Sequence, residues 1–231
     1  LLLGADYRLD DDYSLFAEHE TGFESDAPQR SVFGVRATPW AGARAEQSIE
    51  QVEQDDSYRL FAVSGLSQEF LLNEAWSLST GFEQSQDLEN SAPEEIGTSE
   101  NFHAVYVGSA YRTPIWQWNN RVEYRNGNIN DKWVARTSLY HPLSDALATG
   151  GSVNWFHENG DDTYSNQLDA RFDLALRPRK DPFALLWQTR WVQEAYGGSG
   201  IPDRTRKLIN NIHANWLITE RDQLAGQYGI K

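Results

Sequence analysis

Trp116-Gln117-Trp118-Asn119-Asn120-Arg121-Val122-Glu123-Tyr124-Arg125 is the stretch whose reading decides the fold. Apart from Asn120, its even positions are aromatic or aliphatic, whereas its odd positions are wholly polar and mostly charged. Successive side chains of a strand point to opposite faces, so a period of two reads as β-structure. Leu168-Asp169-Ala170-Arg171-Phe172-Asp173-Leu174-Ala175-Leu176-Arg177 repeats the pattern, and between Trp116 and Ile218 the alternation is nearly unbroken. One strand with a polar face is ordinary. A long series with Trp and Phe on its greasy face calls for a closed antiparallel sheet, lipid outside and a polar lumen inside.

Working outward, strand-like segments follow one another without a helical interruption. They are 1–9, 13–24, 30–39, 43–54, 58–73, 76–86, 102–113, 116–126, 132–142, 147–158, 163–177, 183–195, 206–219 and 223–231. Segments 43–54 and 102–113 alternate least clearly, the first because it is polar on both parities. Outward sets include Leu1, Leu3, Ala5, Tyr7 and Leu9 at one end of the chain and Leu224, Gly226, Tyr228 and Ile230 at the other. Trp76, Trp116, Trp118, Trp133, Trp155, Trp187, Trp191 and Trp216 share the apolar parity and are expected to face lipid, while Trp40 stands at a turn. Several of these, with Tyr13, cluster toward strand ends, as in the aromatic girdles of membrane interfaces.

The connections alternate in character. Short ones follow the odd-numbered segments, for example Asp10-Asp11-Asp12, Trp40-Ala41-Gly42, Asn73-Glu74-Ala75 and Pro114-Ile115. Longer or more polar, Gly-rich ones follow the even-numbered segments: Ser25 to Gln29, Asp55 to Ser57, Asp87 to Asn101, Gly127 to Asp131, Asn159 to Asp162 and Tyr196 to Thr205. Short turns at one rim and long loops at the other identify the short rim as periplasmic. On that orientation the first segment runs inward and the last ends outside. The expectation is a single barrel domain, 1–231, lacking strands at both ends of a parent of about 16 or more strands.

Composition bounds the alternatives. With 231 residues, 39% of them hydrophobic, and a mean hydropathy of -0.64, the chain holds no apolar run near the roughly 18 residues of a spanning helix. A barrel strand needs only about 9–11 residues, half of them polar. The absence of Cys excludes a disulfide scaffold and a thiolate metal site. A formal charge of -14 argues against nucleic acid as a partner.

By alternation, turn asymmetry and aromatic placement the chain resembles Gram-negative outer-membrane β-barrels of porin-like size, an all-β, up-and-down architecture. The resemblance implies residence in the bacterial outer membrane. Its partners would be outer-membrane lipid, lipopolysaccharide, the barrel-assembly machinery and further domains of a larger parent chain.

The lumenal parity holds Arg36, Arg59, Arg121, Arg125, Arg136, Arg171, Arg177 and Arg190, opposed by Glu18, Glu20, Glu69, Glu83, Glu123, Asp169 and Asp173. Mixed signs either set ion selectivity across a constriction or pair across strands to hold the wall. Arg121, Glu123 and Arg125 beside Arg136 form the expected basic strip. Asp87, Glu89, Glu94, Glu95 and Glu100, with Asp55, Asp56, Asp161 and Asp162, read as acidic loop tips, either solvated charge or collectors of divalent cations among lipid phosphates. None of them matches a calcium-loop template, so no metal or cofactor is expected. No Gly-x-Ser-x-Gly, His-Glu-x-x-His or phosphate-binding Gly loop occurs, and an enzyme is not expected. Of the histidines, only His157-Glu158 beside Asp161 and Asp162 suggests a catalytic pair; His19 and His141 read as interfacial wall residues. Three functions stay open: a passive channel for small hydrophilic solutes or ions, a membrane-anchoring or export barrel, and a soluble all-β binding module whose Trp residues would need a second sheet.

Overall fold

The computed structural model describes residues 1–22, 29–54, 57–91, 101–160, 162–178, 182–198, 202–218 and 222–230. Their secondary structure is entirely β: β1 (Leu2–Arg8), β2 (Tyr13–Glu20), β3 (Gln29–Ala37), β4 (Ala43–Gln54), β5 (Ser57–Leu71), β6 (Trp76–Asn90), β7 (Phe102–Arg112), β8 (Gln117–Gly127), β9 (Asn130–Pro142), β10 (Leu147–Gly160), β11 (Tyr164–Leu176), β12 (Phe183–Gly197), β13 (Asp203–Leu217) and β14 (Gln223–Ile230). All lie in one sheet in chain order, antiparallel and up-and-down. Each predicted segment is a strand, its limits displaced by no more than four residues. The second sheet that a soluble sandwich requires is absent among the described residues.

The tight turns have a chemical cause. Asp10 Oδ1 accepts the amides of Asp12 and Tyr13, both at 2.8 Å. Asn73 Oδ1 accepts those of Ala75 and Trp76 at 2.9 Å, and Ser144 Oγ those of Ala146 and Leu147 at 3.2 and 3.1 Å. A short polar side chain thus satisfies the amides that a reversing backbone leaves unpaired. The turn between β3 and β4 uses Gly42 instead, at φ 79°, a conformation in which a Cβ is strained.

Two expectations need correction. β6 continues to Asn90, so Asp87 and Glu89 belong to a strand and not to a loop. Strand structure also reaches into three supposed loops, Asp55 to Ser57, Gly127 to Asp131 and Asn159 to Asp162: β4 ends at Gln54 and β5 begins at Ser57, β8 ends at Gly127 and β9 begins at Asn130, and β10 ends at Gly160 and β11 begins at Tyr164, with pairing out to Glu53–Tyr58 and Asn159–Tyr164. Turn asymmetry therefore rests on the connections around 21–28 and 91–101, while Asp55, Asp56, Glu94, Glu95, Glu100 and Asp161 lie outside the described residues. The sheet itself is open: β1 is bonded to β2 alone and β14 to β13 alone.

The chain divides into two compact units, Leu1–Phe70 with Ser79–Val107 and Tyr124–Asp131, and Leu71–Leu78 with Gly108–Glu123 and Lys132–Lys231. In the first, the register sets Ala5, Ala17, Phe33 and Ile49 in one row. Phe33 and Ile49 are exposed. The opposite face carries Phe16, Val32, Ser48 and the carboxylate of Glu50, all buried. In the second unit Val153, Ala170, Trp191 and Leu208 form an apolar row, and Thr149, Leu174, Trp187, Ile212 and Tyr228 another. Trp187, Trp191, Leu208, Ile212 and Tyr228 are all exposed. A soluble protein hides its aliphatic and aromatic side chains and exposes its charges; here the aliphatic and aromatic face is open.

Candidate functional site: the charged face of the sheet

Ion pairs line the charged face of the first unit. Arg30 on β3 holds Glu50 on β4 through Nε at 3.0 Å and Nη2 at 2.5 Å. Arg36 stands among Asp6 on β1, Glu18 on β2 and Glu46 on β4, at 3.2, 3.8 and 3.0 Å, with its guanidinium 3.8 Å from the Phe16 ring centre. The register puts Arg36 opposite both Ser14 and Glu46, so carboxylates reach it from both flanking strands. Phe16 in turn lies over Gly34, where a Cβ would come within 2.5 Å of the ring. Arg59 donates from Nε to Asp87 Oδ1 at 2.6 Å and covers the Phe61 ring at 4.4 Å. Arg125 covers Phe102 at 3.9 Å. Glu83 is exposed and has no hydrogen-bond or ion-pair partner among the described residues, and Glu69 is exposed beside the Gly42 turn.

The charged face of the second unit is more open. Arg121 Nη2 meets Glu123 at 2.8 Å, and Arg171 Nε meets Asp173 at 2.8 Å. Gln188 donates to the same Asp173 oxygen at 2.8 Å. Arg190 binds Asp169 through Nε and Nη2 at 2.8 and 2.5 Å. Lys132 pairs with Glu158 at 3.6 Å and Lys207 with Glu194 at 3.3 Å. The arginines of these pairs keep nearly half their side-chain surface free, 48% for Arg121, 47% for Arg171 and 49% for Arg190.

Arg136 differs. It is exposed, and among the described residues it has no hydrogen-bond or ion-pair partner. Thr137 donates to Asn120 at 2.6 Å, which puts β8 and β9 in a register where Arg121 faces Arg136. The Lys132–Glu158 pair and the Leu143–Leu147 turn bond set β9 against β10 so that Arg136 neighbours Asn154. β10 offers small side chains here, Gly150, Ser152 and Asn154, which lie opposite Asp173, Arg171 and Asp169 of β11. The expected basic strip is thus reduced: Arg121 is neutralised by Glu123, Arg125 is stacked on a ring, and Arg136 carries the uncompensated charge. Arg177 follows β11, its amide bonded to Ala146 O at 2.7 Å.

The apolar face of the second unit carries several aromatic groups near the odd-to-even turns. Trp76 contacts Tyr111 at 4.8 Å and Trp118 at 6.2 Å between ring centres. Trp118 Nε1 donates to Thr137 at 3.1 Å, and Trp116 stacks on His141 at 3.8 Å and 8°. Phe183 is opposite Trp216. Trp133 is exposed, and Trp155 donates to Asn166 at 3.0 Å. In the first unit His19 pairs with Leu3 across strands and bonds Ser31 at 2.9 Å.

The suggested His157-Glu158 pair does not exist. Successive strand residues point apart: His157 stacks parallel to Trp155, 6.0 Å away, while Glu158 turns to Lys132. Parity reasoning missed Arg30–Glu50, Lys132–Glu158 and Lys207–Glu194. Opposite charges placed symmetrically about a turn would have marked them.

No protein-family model matches the chain, and no curated protein is significantly similar to it. Solved structures are similar in fold. The siderophore receptor PirA from Pseudomonas aeruginosa shares 9% identity at a TM-score of 0.56, over 98% of this chain and 55% of the receptor. A bacterial polysaccharide outer membrane secretin shares 11% at 0.51, over 90% of this chain and 74% of its own. A KdgM porin shares 10% over 94% of this chain and the whole of the porin, but its TM-score of 0.38 is too low to carry an argument. The receptor and the secretin show the fold, that of outer-membrane β-barrels.

Proposed function

We propose that the chain forms the wall of a channel in the bacterial outer membrane, passing small hydrophilic solutes or ions. The observation that carries this reading is the inversion of the faces. An exposed apolar face backed by charges suits lipid on one side and water on the other. The charged residues Arg36, Arg59, Glu69, Glu83, Arg121, Glu123, Arg125, Arg136, Asp169, Arg171, Asp173, Arg177 and Arg190 then line the lumen, and the Trp residues of the apolar parity meet lipid. Much of the lumenal charge would be paired, and Arg136 would be a local anion-attracting point opposed elsewhere by unpaired carboxylates such as Glu83. In hydrocarbon every backbone group needs a partner, so the proposal requires the free edges of β1 and β14 to be paired.

One observation favours a second reading. In the first unit part of the charged face is buried, with Glu50 at 8% and Phe16 at 4% exposure, which suits a partly filled barrel acting as an anchor or exporter. Planar-bilayer recording separates the two. Stable conductance steps of order a nanosiemens, with a reversal potential that moves toward cation preference in Arg136→Glu, are the expected result. Insertion without conductance would establish the anchor reading instead.

A further inference from the structure

Within the strands of the second unit, the described residues place two charged side chains on the apolar face. Both are cations on the same strand, β13: Arg204 and Arg206. Their face is defined by the register, in which Arg206 is opposite Gln193 and Leu208 opposite Trp191. Rows through β12 and β11 join Arg206 to Leu168 and Trp155, and Arg204 to Ala195, Asn166 and His157. Both arginines are exposed, and neither has a hydrogen-bond or ion-pair partner among the described residues. Their neighbour Lys207, pointing to the other face, is paired with Glu194. Charges on the opposite face of β11 and β12 therefore find partners, while these two have none.

Two residues apart on a strand, the arginines stand about 7 Å from each other, a spacing that suits two oxygens or two groups of one anionic headgroup. They occur where the apolar band ends: Trp155, His157 and Tyr164 replace the aliphatic residues at this level. His157 Nδ1 is also buried with no hydrogen-bond partner. In chain order this end of β13 follows an even-numbered strand, which on the orientation expected from the sequence is the outer side.

We infer that Arg204 and Arg206 form a binding site on the apolar face for the phosphates of an anionic lipid headgroup, with the phosphomonoester chemistry of lipid A. This rests on the membrane reading above. Guanidinium recognises phosphate by paired N–H donors and stays charged in such a setting.

The test reconstitutes the full chain and the Arg204→Gln/Arg206→Gln variant in vesicles of phosphatidylcholine containing lipid A, dephosphorylated lipid A or phosphatidylglycerol. Lipid retained through detergent extraction is then quantified by mass spectrometry. Lipid A should be retained over the other two by about tenfold or more in the native chain, and the preference should vanish in the variant. Arg204→Lys/Arg206→Lys should restore part of it. Equal retention of lipid A by native and glutamine forms that insert alike would overturn the site, as would equal retention of phosphatidylglycerol and lipid A. Failure of both proteins to insert would overturn the membrane reading, and the site with it.

Discussion

Arg59 and Asp87 form an enclosed ion pair, with 12% and 19% of their side-chain surface exposed. Removing one member of such a pair strands the other charge in a poorly solvated place. Asp87→Ala should therefore lower stability by about 3 kcal/mol, seen as a reduced thermal midpoint by circular dichroism in detergent. Arg171 and Arg190 are half-exposed, and loss of Asp173 or Asp169 should change stability by about 1 kcal/mol or less. Of these contacts, sequence parity indicated only that the groups share a face. Which carboxylate each arginine takes depends on register and reach: Arg190 takes Asp169 diagonally, although Val192 is the residue opposite Asp169.

The strands were legible because their period is two, and an error of one residue would turn every side chain to the wrong face. The alternation therefore tests itself over each strand. Where a strand ends is a different matter, since β6 and β10 continue into polar sequence by pairing with a neighbouring strand. Leu208 is 48% exposed near the middle of β13, and Leu208→Arg should weaken folding into lipid vesicles by about 2–4 kcal/mol. Ser152→Arg, on the charged face of β10, should be tolerated within about 1 kcal/mol. Equilibrium refolding from urea into vesicles measures both, and equal costs would sink the assignment of faces. At the β3–β4 turn, Gly42→Val should destabilise by about 1–3 kcal/mol, since a Cβ would also come within 2.4 Å of Glu69 O.

At the scale of the molecule, the fourteen strands make a sheet with two edges. An edge in hydrocarbon is costly, because each unpaired amide or carbonyl there loses water without gaining a partner. In the membrane-inserted protein the edge amides of β1 and β14 should resist hydrogen exchange as strongly as those of β3 and β11. Exchange at loop rates on either edge would mean an unpaired strand and no sealed pore.

The alternation seen from Trp116 to Arg125, repeated along the chain, determines by itself that the chain is β-structured and apolar on one face. That information is local, because side-chain direction alternates with every residue whatever the rest of the chain does. Only the tertiary structure decided that the acidic residues Asp87 and Glu89 extend a strand, that His157 and Glu158 point apart, that Arg136 is left without a counter-charge, and that the sheet is open at β1 and β14. Those outcomes depend on which residues of a neighbouring strand come opposite, and register is a long-range property that alternation within one strand does not carry.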